Sequence, residues 1–77
     1  MKSFDVRVYK NNRYSVSSKH PTFESAFDSW KAKLLRKEYT KPPVICIGKD
    51  VVFTGYKEGS KEPILDIEEA KRSIRDL

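Results

Sequence analysis

Phe4, Val6 and Val8 alternate with charged neighbours, and Tyr14 and Val16 recur at the same period of two, so residues 4–18 predict a β-hairpin with one apolar face. Keeping the apolar residues together requires Val8 opposite Tyr14, Val6 opposite Val16 and Phe4 opposite Ser18, because a slip of one residue turns one strand inside out. The connection is then the three-residue loop Lys10-Asn11-Asn12, with Asn12 in the left-handed third place that Asn tolerates well. In this register Arg7, Tyr9, Arg13, Ser15 and Ser17 stand on the outward face, with Tyr9 across from Arg13.

After Lys19-His20-Pro21, which reads as a loop, the period changes. Thr22 is a good N-cap, and Phe23, Phe27, Trp30 and Leu34 follow at spacings of three and four, the stripe of an amphipathic helix. Glu24 and Asp28 suit its positive end, Lys33, Arg36 and Lys37 its negative end, and the small Ala26 allows close approach to a sheet. Pro42-Pro43 ends the helix near Tyr39.

Two β-branched runs, Val44 to Gly48 and Val51 to Tyr56, flank Gly48-Lys49-Asp50 and predict a second hairpin that is apolar on both faces. A polar connection from Lys57 to Pro63 leads to Asp66, which opens a capping box with Glu69. Ile67, Ala70, Ile74 and Leu77 form a shorter helical stripe.

The order β-β-α-β-β-α predicts an α+β fold, a mainly antiparallel four-stranded sheet with two helices packed on it. A chain of 77 residues has room for one core, so residues 1–77 are expected to form a single domain. The doubly apolar second hairpin asks for extra cover, which a homodimer contact would also supply.

Composition narrows the function classes. At 38% hydrophobic and 12% aromatic, the chain is too rich in core formers for a disordered tail. Cys46, the single cysteine, permits neither an internal disulfide nor a cysteine-based zinc site, and within a β-branched strand it reads as a small buried hydrophobe. No apolar run approaches the ~20 residues of a membrane helix, and the start of the chain carries no apolar leader core, so a cytoplasmic protein without a membrane partner is expected. The three glycines fit no phosphate-binding motif, and Asp66, Glu68, Glu69 and Asp76 lack calcium-loop spacing, so neither cofactor nor metal is expected.

Charge adds a direction. The net charge is +5, and it is segregated: residues 1–41 carry ten basic and four acidic side chains, residues 42–77 six and seven. Such asymmetry favours a polyanion partner. Lys33, Arg36 and Lys37 share one side of the first helix, with Lys31 and Lys41 nearby, and would displace counterions from phosphates; the same cations also complement the helix dipole. Arg7, Tyr9 and Arg13 on the outward hairpin face would stack an unpaired base between two guanidinium groups, though the same trio also makes an ordinary cross-strand cation–π contact.

These two patches predict a non-enzymatic domain that binds nucleic acid, RNA or single-stranded DNA, with RNA favoured over duplex DNA. A small protein-interaction module is the competing class, an inhibitor or regulator of a host protein; the length and the Lys- and Tyr-rich style look like small accessory proteins of bacteriophages. A third reading gathers Lys19, His20, Arg36 and Tyr39 into a ribonuclease site, but a lone loop histidine with no required spacing carries little of that chemistry.

Overall fold

A computed structural model describes residues 3–37, 39–57 and 59–74. Strands β1 (Phe4–Lys10) and β2 (Arg13–His20) precede helix α1 (Phe23–Arg36); β3 (Val44–Ile47), β4 (Asp50–Phe53) and α2 (Ile67–Ser73) follow. The strands form one antiparallel sheet in the order β2-β1-β3-β4, so the expected α+β architecture is the observed one. Among the described residues no helix is long and apolar enough to cross a membrane.

One side of the sheet carries the core. Val6 lies across from Ile45 and Ile45 across from Phe53, which aligns their side chains on one face. Phe23, Ala26, Phe27 and Trp30 from α1, Ala70 from α2 and Ile64 from the preceding loop pack on it. Trp30 is fully buried, its ring stacked on Phe27 and edge-on to Phe53, with centroids 5.4 and 5.0 Å away. Gly55 is the residue that lets the indole fit. Its φ of +92° disfavours any side chain, and a Cβ there would lie 2.2 Å from Trp30 Cζ2.

Both helix starts follow their caps. Ser25 N–H donates to Thr22 Oγ1 at 3.2 Å, and Glu69 N–H to Asp66 Oδ2 at 3.4 Å. The first helix stops before the expected Tyr39, because Lys37 takes a left-handed conformation (φ 56°) and its N–H turns back to Leu34 O. The predicted position of Leu77 in the second stripe lies outside the described residues.

The first hairpin departs from its predicted register. Asn11 and Asn12 both adopt positive φ, 55° and 65°, and make a two-residue turn whose twist suits the strands better than the expected three-residue loop. Tyr9 therefore pairs with Tyr14, Lys10 with Arg13, Val8 with Ser15 and Arg7 with Val16. A bulge between Val6 and Arg7 absorbs Ser17, after which Val6 pairs with Ser18 and Phe4 with His20. Tyr14 and Val16 thus leave the core face, and Ser15 and Arg13 leave the outward one. His20 closes β2 and does not lie in a loop.

Candidate nucleic-acid interface

Both helices pack on one face of the sheet, and among the described residues no helix covers the other, the open face. Asp5, Arg7, Tyr9, Tyr14, Val16, Lys19, Val44, Cys46 and Val51 lie on it by strand alternation; Asp5 and Cys46 are buried, whereas Val16 and Val51 are 42% and 45% exposed. Tyr9 and Tyr14 meet edge-to-face at 5.1 Å. The cation over the Tyr9 ring is Lys41, with Nζ 4.6 Å from the centroid. This replaces the expected sandwich of Arg7 and Arg13. Arg13 sits at the hairpin tip on the opposite side, and Arg7 Nη2 donates to Gly48 O at 2.8 Å, bracing the turn between β3 and β4.

Lys41 reaches Tyr9 because its loop is fastened twice. Tyr14 Oη donates to Pro42 O at 2.9 Å from the open face, and the buried Trp30 Nε1 donates to Pro43 O at 2.7 Å from the core. Burial, then the neighbouring Tyr9 and Cys46, hold the Tyr14 hydroxyl protonated above the usual tyrosine range. On this loop Tyr39 and Thr40 form a ridge between two cavities. One, of about 340 Å³, is lined by Lys33, Lys37 and Lys41 with Tyr39, Tyr56 and Pro42 among its walls. The other, of about 410 Å³, lies between the ridge, Tyr9 and the Asn11–Asn12 turn.

Parts of the two predicted patches therefore meet at the 39–43 loop. Lys33, Lys37, Lys41 and Tyr9 belong to the shared surface. Lys31 and Arg36 line neither cavity, and Lys31 lies about 200° around α1 from Lys33 at helical spacing. Among the described residues the two ion pairs are Lys57 with Glu69 and Lys71 with Glu24, the latter at 3.0 Å, so none of the cations at this surface is neutralised by a carboxylate. Lys33 Nζ does donate to Ser29 Oγ at 3.1 Å.

The ribonuclease constellation is not gathered. His20 Nε2 meets Ser18 Oγ and its Nδ1 meets Ser25 Oγ, both at 2.8 Å, in the seam between β2 and α1. Arg36 is eleven residues beyond Ser25, about 16 Å along the helix, and Lys19 lies opposite Asp5 on the other side of the sheet. Cys46 is 2% exposed, and burial raises its thiol above the ordinary range despite the nearby Arg7. Among the described residues no three His, Cys, Asp or Glu side chains converge in a way that could hold a metal ion.

Compared with known proteins, the chain matches no family model, no curated protein and no solved structure.

Proposed function

We propose that this protein is a non-enzymatic domain that binds single-stranded nucleic acid, RNA in preference to duplex DNA, on the surface where the 39–43 loop meets the open sheet face. The observation that carries the reading is Lys41 over Tyr9 beside a cavity lined by three lysines that have no carboxylate partner among the described residues. Half-buried tyrosine rings offer stacking to unpaired bases, worth about 1–3 kcal/mol per base, and the lysines draw in the phosphates. A duplex hides its base faces and would use the cations alone. The reading includes a reducing, cytoplasmic setting, which the single free thiol supports.

A second reading rests on Val16 and Val51, which expose apolar surface on the same face and would anchor a protein partner. Fluorescence anisotropy with labelled single-stranded RNA and duplex DNA across a salt series separates the two. We expect RNA to bind more tightly, affinity to fall steeply with salt, and the slope to drop by about 2 in Lys33→Ala/Lys37→Ala/Lys41→Ala, at ~0.7 per phosphate contact on a single strand. Absence of binding at low salt overturns the proposal and directs attention to the valines.

A further inference from the structure

The turn between β1 and β2 asks for positive φ at two successive positions, a demand that glycine meets without cost and that Asn-Gly meets well. Here both positions are asparagine, at φ 55° and 65°. Among the described residues neither amide makes a side-chain hydrogen bond within the protein, so the fold makes no use of the two groups it accommodates in a left-handed conformation. The positive φ values serve the turn itself, so it is the two amides, not the backbone, that are left over for a role outside the fold.

Their position supplies that role. Asn11 and Asn12 line the cavity of about 410 Å³ whose other walls include Tyr9, Tyr39 and Thr40. The volume falls in the range of small-ligand sites, about 300–1,000 Å³, and accommodates a base with its sugar. Tyrosine rings give a base a face to stack on. An amide presents a donor beside an acceptor, which complements the paired donor and acceptor on a base edge. Lys41 lines the neighbouring cavity with its Nζ 4.6 Å from the Tyr9 centroid, close enough to hold the adjoining phosphate.

We propose that the Asn11–Asn12 turn reads the edge of one unpaired base seated in this cavity, giving the protein a base preference that its lysines alone do not supply. The proposal rests on the nucleic-acid reading above and deepens it: phosphates are held by Lys33, Lys37 and Lys41, and identity is read by the turn.

The test uses short single-stranded RNAs of equal length that share their flanks and differ only in a central run of A, C, G or U, measured by anisotropy across the same salt series. Asn11→Gly/Asn12→Gly keeps a turn that tolerates positive φ and removes both amides; Asn12→Gly alone is the milder variant, and Trp30 fluorescence checks that each is folded. For the wild type we expect the tightest and weakest RNAs to differ by about fivefold or more, the lower end for one bidentate base contact. In the double variant that ratio should fall below about twofold with the salt slope unchanged, since phosphate contacts set the slope. Equal affinities for the four RNAs in the wild type, or a ratio that survives both glycine variants, overturns the base-reading role while salt-dependent binding leaves the broader proposal standing. Loss of all binding by the wild type overturns both.

Discussion

Gly55→Ala should separate the two demands made on that residue. The backbone demand is φ +92°, and forcing an L-residue into the left-handed half of conformational space costs roughly 1–2 kcal/mol. The steric demand is larger in kind. The added Cβ would lie 2.2 Å from Trp30 Cζ2 and 3.1 Å from both Cε2 and Cη2, and the indole cannot step aside. It is fully buried, stacked on Phe27, edge-on to Phe53, and tethered through Nε1 to Pro43 O. Overpacking of this sort costs about 1–3 kcal/mol, so the combined loss is about 2–5 kcal/mol, comparable to the whole stability of a small domain. Gly48→Ala is the internal control. Its φ of +61° carries the backbone cost, but nothing lies within 4 Å of its would-be Cβ. Urea unfolding followed by the fluorescence of the sole tryptophan measures both, since Trp30 reports directly on the contact. If Gly55→Ala loses no more than Gly48→Ala, the close approach does not hold the indole in place.

Tyr14→Phe removes the donor to Pro42 O at an exposed site and should cost about 0.5 kcal/mol, and it should weaken RNA binding by loosening the loop that carries Lys41. Because the folded state holds the Tyr14 proton more tightly than the unfolded chain, its contribution is full below the ordinary tyrosine pKa, about 10, and is lost as pH rises through the higher folded value; the difference in stability between wild type and Tyr14→Phe should therefore shrink above about pH 10 in pH-dependent urea titrations, and a constant difference would contradict the assignment. Cys46, buried and with its thiol raised by that burial, should react with an aromatic disulfide reagent at the rate of unfolding and not faster; prompt reaction in native buffer would show that the open face exposes it.

Much of this architecture is legible in the residues. Thr22 and Asp66 cap helices where their side chains predict, and Trp30 is buried because its spacing from Phe23, Phe27 and Leu34 assigns it to the stripe. The first hairpin is where pattern misleads. Tyr14 and Val16 are apolar enough to pass for core, and only the backbone of two successive left-handed asparagines, with a bulge at Ser17, decides that they face outward. Ser18 takes the core-side position across from Val6, and its hydroxyl meets Ser29 Oγ of α1 at 3.2 Å; no periodicity rule anticipates a polar seam there. For the candidate surface, the charge asymmetry points to the half of the chain that holds Lys33, Lys37 and Lys41, and strand alternation puts Tyr9 on the outward face. Neither gives their junction. Lys41 and Tyr9 are 32 positions apart, and their contact depends on Pro42 and Pro43 carbonyls being claimed from opposite sides of the sheet, which local sequence does not encode.

The double fastening of the 39–43 loop has a consequence for how this surface fails. A binding loop held only by solvent-facing contacts opens on its own, long before the rest of the molecule, and its ligand must then bear the entropy of ordering it. Here one fastening reaches into the aromatic centre itself through Trp30 and Pro43, both of them buried to completion. The surface therefore inherits the cooperativity of the core. Substitutions that erode the interior should leave intrinsic affinity intact in every molecule that is still folded, and reduce instead the number of such molecules, so that apparent weakening traces the folded population and disappears once titrations are scaled to it.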